Sequence, residues 1–567
     1  MAADGGLTLR ALDKTFRARR SVEDSTSVRR DDATPPWRFC QALVFGCDFR
    51  ENGVDSTQGR IDCDVLVVGG GINGAAIARD AAGRGLRVVL CEKDDLAQHT
   101  SSASSKLIHG GLRYLEHYEF GLVRKALVER EVLLRSAPHI MRPLRFVMPH
   151  DESGGARPAW LIRAGLFLYD RLARREFLPG SHAVDLRSHP AGAPLQARYT
   201  RGFMYSDGWV DDARLVVLNA LDARERGATI LTRTRCVAPQ RHATHWSVTL
   251  DGGDSQLRVH ARCLVNAAGP WAARFLDAMP DLPGSRALRL IKGSHILVPR
   301  LFEHPHAYIF QHPDGRIVFA LPYEGAFTLI GTTDVDYQGD LDKVATSPEE
   351  AAYLCQLANR YFVRAVTPSD VVWSYAGVRP LVEDAAASAQ AATRDFRLET
   401  STAGAPLLSV FGGKITTCRK LAEQAVDWIA PALGKPAPAW TAGACLPGGD
   451  VAGQRPDKRG VLEFGAWTAA QAARYPWLPP QLLQRYARAY GTRIDTLLAR
   501  RDKLADMGQE VVPGLYAAEI EYLVAHEWAR CAADILWRRS KLGLHVAPGS
   551  ASRLDEWFIA RQQALAF

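Results

Sequence analysis

A string of glycines near residue 70 carries the strongest chemical signal in this chain of 567 residues. Gly69, Gly71 and Gly74 form a G-x-G-x-x-G pattern, which permits a tight turn, close approach of backbone to a pyrophosphate, and close packing of a helix on a strand. Glu92 ends the next apolar run, where an acidic side chain can bind ribose hydroxyl groups. The arrangement predicts a site for FAD or NAD, because an acid here disfavours the 2′-phosphate of NADP. A glycine turn with only a structural role is the alternative.

Two later segments favour FAD over NAD, because they could line a longer cofactor. Residues 263–271 predict a strand that ends in small residues, among them Gly269. Residues 407–417 predict another strand, followed by Gly412 and Gly413, with Thr416 at the start of the next helix. The N-terminus of that helix offers free amides and a positive dipole end, which suit the anionic part of a reduced flavin. Each segment is weak alone, but the three glycine segments together fit one extended FAD.

The elements that must position these residues alternate between strands and helices. Residues 63–68, 75–84 and 86–91 predict a βαβ unit. Residues 290–298, 307–311, 316–321 and 327–331 predict an antiparallel sheet inserted into this framework, and residues 251–254 predict a hairpin turn. Proline and glycine at residues 436–456 mark a boundary, after which the chain is predicted to be helical, including one helix over residues 519–537.

The predicted fold class is therefore α/β plus α. A Rossmann-like FAD-binding domain with an inserted antiparallel-sheet substrate domain covers residues 61–435, and a C-terminal α-helical domain covers residues 436–567. Residues 1–60 mix arginine with acidic residues and lack a periodic apolar face. This pattern predicts a disordered leader, or a start codon assigned too early.

Composition narrows the class of protein. The chain is 47% apolar and 23% charged, which is typical of a soluble globular protein, and no apolar run reaches the ~20 residues that span a bilayer. Any membrane contact would therefore be peripheral. The net charge of +8 is small for this length and suits a phosphorylated substrate or an anionic membrane. We expect no nucleic-acid partner. None of the ten cysteines forms a C-x-x-C pair, and we expect no metal.

Seven motifs make the chain resemble a known family, the FAD-dependent, membrane-associated glycerol-3-phosphate dehydrogenases, from about residue 62 to the C-terminus. They are G-G-G-I-N-G at 69–74, T-S-S-A-S-S-K-L-I-H-G-G-L-R-Y-L at 100–115, K-G-S-H at 292–295, G-T-T-D at 331–334, G-V-R-P-L at 377–381, F-G-G-K-I-T-T at 411–417 and E-W-A-R-C-A-A-D-I-L-W-R-R at 527–539.

The resemblance implies that noncovalently bound FAD oxidises sn-glycerol 3-phosphate to dihydroxyacetone phosphate, with hydride transfer from C2 to flavin N5. Electrons would then pass to membrane quinone. The enzyme would be cytoplasmic and held peripherally on the inner face of the cytoplasmic membrane, against an anionic membrane surface, and a homodimer is left open. The motifs add Ser104 to the cofactor contacts and place five residues in the substrate pocket: Arg113, Tyr114, His295, Arg379 and Lys414.

The chemistry of these residues agrees with that assignment. A phosphate dianion needs converging cationic groups, and Arg379 and Arg113 could supply bidentate contacts while Lys414 supplies a point charge. Most arginines of a chain this long are exposed to solvent and bind no ligand. Arg113 and Arg379 are candidates because they are predicted to lie in glycine-flanked loops. The reaction also needs a base for the C2 hydroxyl proton. His295 is the preferred candidate, and His109, whose His-Gly-Gly context also raises covalent flavin attachment, competes with it.

The sequence leaves alternatives for the function and for the membrane contact. One is an oxidase of the same fold that uses O₂. Another is a non-catalytic protein that binds FAD and glycerol phosphate. The membrane contact concerns residues 160–178, which predict an amphipathic helix with Leu161, Leu168 and Leu172 on one side. That helix could lie on an anionic bilayer or cover the protein's own core.

Overall fold

The computed structural model describes residues 60–151, 158–279, 288–311, 316–382 and 395–565. The predicted leader therefore lies outside the described residues, apart from Arg60. The strands in these ranges are β1 (Arg60–Val68), β2 (Val88–Cys91), β3 (Leu107–Ile108), β4 (Met141–His150), β5 (His182–Asp185), β6 (Arg201–Val210), β7 (Thr229–Leu231), β8 (Arg235–Arg241), β9 (Trp246–Asp251), β10 (Gln256–Asn266), β11 (Leu288–Pro299), β12 (Ala307–Gln311), β13 (Ile317–Tyr323), β14 (Phe327–Gly331), β15 (Val335–Asp336), β16 (Trp373–Val382), β17 (Phe396–Ser401), β18 (Leu407–Gly412), β19 (Glu510–Val512) and β20 (Leu515–Tyr516).

Helices cover both sheets and form most of the C-terminal part. The α-helices in the described ranges are α1 (Ile72–Gly83), α2 (Phe120–Ser136), α3 (Ala159–Arg171), α4 (Asp212–Glu225), α5 (Ala272–Asp277), α6 (Pro348–Tyr361), α7 (Cys418–Ala432), α8 (Lys458–Leu462), α9 (Phe464–Arg474), α10 (Pro480–Tyr490), α11 (Ile494–Leu497), α12 (Ala517–Glu527) and α13 (Ser550–Leu565).

The first sheet carries the three glycine segments. Its main path runs β17-β18-β10-β1-β2-β7, with parallel pairing from β18 to β7, and the antiparallel hairpin β8–β9 continues from β10. The parallel register pairs Val68 of β1 with both Asn266 and Cys91, so three strands end at one edge. Ligands of open parallel sheets bind outside these carboxyl ends. This edge therefore brings the predicted cofactor segments together.

Residue size explains how α1 covers this sheet. Val65, Leu66 and Val67 of β1 are fully buried, as expected for a strand covered on both faces. On α1, Ala75 and Ala78 are fully buried as well. Their small side chains allow α1 to pack closely against its neighbours α4 and α7.

The second sheet has the order β15-β11-β14-β13-β12-β4-β6-β3, with β16 paired to β11 and β5 paired to β6. Its pairings are antiparallel except for β12 with β4. The inserted antiparallel sheet is thus confirmed, although strands β3 to β6 were not predicted. Close to its β16 edge, Thr100 donates its hydroxyl to the carbonyl of Val378 at 2.7 Å. The second sheet therefore meets the cofactor loops of the first.

The C-terminal part has its own apolar core, drawn from residues 478–558. The predicted continuous helix over residues 519–537 is wrong. Helix α12 ends at Glu527, Trp528 adopts a left-handed φ of 57°, and a separate π-helical turn spans Asp534–Arg539. The side chain of Asp534 accepts the backbone N–H groups of Arg530 at 2.7 Å and Cys531 at 3.3 Å, which fixes the segment between the two helical pieces. The apolar period continues through both pieces and conceals the break.

Candidate cofactor and substrate site

The turn after β1 shows why its glycines are needed. Gly69 has a φ of 112°, and a Cβ there would lie 2.5 Å from the carbonyl oxygen of Ala267. A Cβ on Gly74 would lie 1.9 Å from the carbonyl oxygen of Gly69. At Gly71, in contrast, the nearest atom to such a Cβ is Ser101 Oγ at 3.1 Å. Gly69 and Gly74 therefore allow the turn and α1 to pack closely. The missing side chain at Gly71 instead leaves space for a ligand to approach the N-terminus of α1.

Glu92 closes the other side of this turn. Its carboxylate accepts the backbone N–H groups of Gly70 at 2.7 Å and Asp94 at 2.9 Å. Burial raises the pKa of Glu92 above the ordinary glutamate value. The side chain is thus held in a fixed position at the carboxyl end of β2, where an acid can bind ribose hydroxyls.

The other two glycine segments reach the same place. Gly269 has a φ of 57° with no heavy atom within 4 Å of a Cβ built on it, and Gly412 and Gly413 have φ values of 72° and 98°. Asn73, at the start of α1, donates its side-chain amide to the carbonyl of Gly412 at 3.2 Å. Thr416 is buried, and its Oγ1 accepts the backbone N–H of His109 at 3.3 Å. The three segments predicted to line one cofactor therefore converge.

The loop over residues 100–106 adds side chains that the sequence did not reveal. Ser101 Oγ accepts the backbone N–H of Ile72 at 3.0 Å, which places a hydroxyl at the start of α1. Ser104, the predicted cofactor contact, instead donates its hydroxyl to Asp212 at 2.7 Å. Its side chain is thus engaged away from the glycine turn, and Ser101 is the serine of this loop that reaches it.

Arg379 lies within strand β16, paired with Ile291 of β11, and not in the predicted glycine-flanked loop, and neighbours from the G-T-T-D turn hold its side chain. Its guanidinium donates to Asp334 Oδ1 at 2.6 Å and to Thr332 Oγ1 at 3.2 Å. The Arg379 side chain is 27% exposed, and that of Asp334 is 9% exposed. The ion pair orients a guanidinium that still meets solvent, which is how a preorganised anion contact is built.

Lys414 and Tyr114 form a second cationic group. Lys414 Nζ lies 3.6 Å from the centre of the Tyr114 ring, a cation–π contact. Arg113 precedes that tyrosine in a half-buried turn. Pro380, which follows Arg379, brings its carbonyl oxygen to 3.6 Å from a Cβ built on Gly412, close in sequence to Lys414. Both cationic groups therefore lie at the junction of the two sheets.

The two candidate histidines differ in burial. His295 is fully buried, its Nε2 lies 2.9 Å from Ser105 Oγ, and its ring stacks on Tyr375. Burial lowers the pKa of His295 well below the ordinary value, and the charges of Arg379 and Lys106 lower it further. A base must reach the proton that it removes, and its pKa should lie near the working pH, so this placement argues against the predicted role of His295. His109 is half-buried, and its ring contacts the edge of Phe319.

The residues at the carboxyl edge of the first sheet fit FAD. The space above Gly71 would be partly filled by a Cβ, the half-buried Glu92 carboxylate is in the position for ribose, and a Cβ on Gly269 would meet open space at the same edge. The glycine segment at Gly412 and Gly413 continues through the turn at Ile415–Thr417 into α7. The N-terminus of α7 therefore lies at the end of that segment. This donor set is suited to a dinucleotide that extends from α1 to α7.

A comparison with protein families agrees with this reading of the fold. The family described as FAD dependent oxidoreductase matches residues 64–419, and the C-terminal domain of alpha-glycerophosphate oxidase matches residues 440–556. The fold and the glycine edge thus define an FAD-dependent oxidoreductase, and the cofactor is FAD.

Three similar proteins narrow the family. A glycerol-3-phosphate dehydrogenase of Pseudomonas aeruginosa is 55% identical over 87% of this chain and 94% of its own length. A D-erythritol 1-phosphate dehydrogenase of Brucella abortus is 49% identical over 88% and 97%. The structure of the glycerol-3-phosphate dehydrogenase from Bacillus halodurans complexed with FAD has a TM-score of 0.70 and 27% identity, over 89% of this chain and 91% of that one. This chain belongs to the FAD-dependent glycerol-3-phosphate dehydrogenase family.

Proposed function

We propose that this protein oxidises sn-glycerol 3-phosphate at C2 to dihydroxyacetone phosphate and passes the electrons to membrane quinone. The observation that carries the proposal is the junction of the two sheets, where the cofactor edge meets Arg379 and Lys414. FAD held at this edge would supply the two-electron acceptor for the hydride of C2. The names of the relatives from Pseudomonas aeruginosa and Bacillus halodurans support the same substrate.

The cationic residues bind and orient the phosphate of the substrate. Asp334 and Thr332 hold Arg379 in place before the substrate arrives, and Tyr114 holds Lys414. Arg113 adds a third positive charge next to Tyr114. Fixed positive groups match a phosphate dianion without reorganising during the reaction, which lowers the entropic cost of placing C2 correctly.

We assign the base to His109. This histidine is half-buried, and its backbone N–H is held by Thr416 in the third cofactor segment. Its ring is therefore carried by a loop fixed at the cofactor edge, and it can accept the C2 hydroxyl proton as carbonyl character develops. His295, with its Nε2 held by Ser105, supports the turn that orients Arg379.

Anaerobic titration of the purified protein tests the substrate. Glycerol 3-phosphate should bleach the flavin absorbance, and glycerol should not, because glycerol lacks the phosphate that Arg379 and Lys414 bind. Erythritol 1-phosphate is the matched comparison, since a relative that bears its name is 49% identical. We expect kcat/KM for glycerol 3-phosphate to be at least ~10-fold higher, which is about 1.4 kcal/mol of transition-state binding. A higher value for erythritol phosphate would contradict the proposed substrate and leave the reaction class intact.

The electron acceptor is tested on the substrate-reduced enzyme. In stopped-flow experiments, a soluble quinone analogue should reoxidise the flavin much faster than O₂ at equal concentration. Rapid reoxidation by O₂ with peroxide release would instead identify an oxidase. No bleaching by any phosphorylated polyol would favour the non-catalytic binding protein.

Helix α3 supports a peripheral contact with an anionic membrane. It buries Leu166 and Tyr169, while Trp160, Leu161, Phe167 and Leu168 are exposed, so the helix covers the core with one face and offers apolar side chains on another. The helix ends at Arg171, short of the predicted Leu178, because the chain turns back and Ser181 donates to Asp170. Throughout the described ranges, no helix is long and apolar enough to cross a bilayer.

Vesicle sedimentation tests this contact. Vesicles rich in phosphatidylglycerol should bind the protein better than phosphatidylcholine vesicles, because Arg163, Arg171 and Arg174 are near the exposed apolar residues. The double substitution Trp160→Ser and Phe167→Ser should reduce binding at least ~10-fold. Leu462→Ser, at a residue 61% exposed elsewhere, is the control and should not. An equal loss of vesicle binding in both variants would contradict the α3 contact.

The homodimer stays a prediction that light scattering of the purified protein can check.

A further inference from the structure

Lys106 and Asp212 form a buried ion pair that the proposed reaction does not use. Lys106 Nζ lies 2.8 Å from Asp212 Oδ2, and the two side chains are 2% and 0% exposed. Lys106 also has a φ of 60°, a left-handed conformation that side chains other than glycine rarely adopt. Lys106 therefore combines a strained backbone conformation with a buried ammonium group, each of which costs free energy.

The same carboxylate oxygen holds the loop that precedes Lys106. Asp212 Oδ2 accepts the backbone N–H of Ser104 at 3.2 Å and its hydroxyl at 2.7 Å. Lys106 Nζ in turn donates to the carbonyl of Ser102 at 2.6 Å. Asp212 lies in the first turn of α4, where the helix dipole favours a negative charge. Residues 102–106 are thus fixed to the end of one helix.

The fixed loop has a cofactor end and a substrate end. At the cofactor end, Ser101 accepts the backbone N–H of Ile72 at the start of α1. At the substrate end, the Ser105 hydroxyl lies 2.9 Å from His295 Nε2. A Cβ on Gly331 would lie 2.1 Å from the His295 ring, so this ring presses on the turn whose next residue, Thr332, contacts Arg379.

Tyr375 reinforces the substrate end. Its hydroxyl donates to the carbonyl of Ser104 at 2.8 Å, and its ring stacks on His295 with the centres 4.8 Å apart. Lys106 Nζ lies 4.8 Å from the same ring centre. The loop, the ion pair and His295 therefore form one continuous packed network.

We propose that Lys106 and Asp212 are positioning residues for the oxidation, because their ion pair fixes residues 102–106, next to Ser101, and thereby couples the N-terminus of α1, where the cofactor binds, to Arg379, where the phosphate binds. The inference rests on the proposed function for its substrate readout only. Its cofactor readout, the release of FAD, does not depend on which substrate the enzyme takes.

The test uses the purified holoenzyme and the variants Lys106→Met, Asp212→Asn and the double variant. Two quantities are measured: the rate of FAD release on dilution, from the rise in flavin fluorescence, and KM for glycerol 3-phosphate. Each single variant should release FAD at least ~10-fold faster and raise KM at least ~10-fold. The double variant should be no more than ~3-fold worse than the worse single variant, because the pair acts as a unit.

Arg485→Met is the matched control. Arg485 is half-buried and pairs with the fully buried Glu519 in the C-terminal part, at 2.6 Å, and its hydrogen bonds go to Glu519 and Gly514 and not to the loop. Its variant should lower thermal stability and change neither FAD release nor KM by more than ~3-fold. A Lys106→Met protein that folds with unchanged FAD release and unchanged KM would overturn the proposal, and so would an equal effect in the control.

Two milder variants keep the test valid if the charge variants do not fold. Ser101→Ala should accelerate FAD release at least ~5-fold more than it changes KM. Ser105→Ala should raise KM at least ~5-fold more than it changes FAD release. Identical responses of the two variants would overturn the assignment of one end of the loop to the cofactor and the other to the substrate, on which the proposal depends. A wild-type flavin that glycerol 3-phosphate does not bleach would instead contradict the proposed function, and FAD release would still decide the role of the ion pair at the cofactor end.

Discussion

Two arginines on neighbouring strands of the second sheet allow a matched comparison of charge and shape. Arg379 on β16 binds Asp334, and Arg289 on β11 binds Asp336 at 2.7 and 2.9 Å. Lysine keeps the charge of arginine but lacks the planar fork. We expect Arg379→Lys to lower kcat/KM for glycerol 3-phosphate ~100-fold, about 2.7 kcal/mol, and Arg289→Lys to lower it less than ~3-fold. Steady-state kinetics at saturating acceptor measure both.

The same pair of variants separates a phosphate contact from a role in folding. A phosphate-free alcohol has no group for the phosphate-binding cations to contact. Arg379→Lys should therefore leave the slow turnover of such an alcohol nearly unchanged. Equal loss with both substrates, in a protein that keeps its FAD, would show that Arg379 acts on the flavin or on the fold.

We expect the contact proposed between Glu92 and the cofactor to make the affinity for FAD depend on pH. Burial raises the pKa of this carboxyl, so without cofactor it binds its proton up to a higher pH than an ordinary glutamate. In the predicted contact, ribose hydroxyls would donate to the ionised form of Glu92, so FAD binding would favour loss of that proton. The affinity for FAD should therefore rise with pH up to the pKa of Glu92 and then level off. Glu92→Gln should bind FAD more weakly and show a flatter profile, as measured by fluorescence titration from about pH 5 to 8. An unchanged slope would assign the dependence to another group.

At the scale of elements, the start of α1 separates two uses of glycine. A Cβ on Gly74 would collide with the carbonyl of Gly69, whereas a Cβ on Gly71 would meet only the Ser101 hydroxyl at 3.1 Å. Gly71→Ala should therefore fold normally, with an unfolding temperature near that of the wild-type protein measured without FAD, and lose most of its flavin. Gly74→Ala should lose both flavin and stability. Full flavin content in Gly71→Ala would show that the cofactor does not approach this turn.

Elements with a strong local signal could be predicted from the sequence. Strands β12 and β14 have the predicted bounds, and the predicted hairpin turn falls between β9 and β10. Strands β4 and β6 were missed, because their pairing joins segments far apart in the chain and depends on partners that no local pattern shows. The site shows the same limit. Glycine spacing revealed the cofactor edge, whereas the pairing of Lys106 with Asp212 and the full burial of His295 result from tertiary packing.

At the scale of the whole molecule, the C-terminal part is fixed to the cofactor domain by a buried charge cluster. Asp95, three residues after Glu92, accepts from Arg538 at 2.5 Å and from Arg539 at 2.6 and 2.8 Å. Removing one partner of a buried pair costs about 3–5 kcal/mol. Asp95→Asn should therefore lower the unfolding temperature by about 5 °C and weaken flavin retention.

An exposed ion pair provides the control for that experiment. Asp495 and Arg474 are 48% and 55% exposed, and such pairs contribute about 1 kcal/mol or less. Asp495→Asn should leave the unfolding temperature and the flavin content nearly unchanged in the same fluorescence melt. A similar shift in both variants would mean that the Asp95 cluster contributes no more than a surface pair.

The Asp95 cluster also sets the order of events during synthesis. Asp95 and its partner Arg538 are 443 residues apart in the chain. At ~5–20 residues per second, a ribosome needs roughly 20–90 s to make that length. Until then the segment beside Glu92 carries a carboxylate without its guanidinium partners. We therefore expect flavin capture in the cell to wait until residues 538 and 539 have been made, and a ribosome stalled before residue 538 to hold a polypeptide that does not retain FAD.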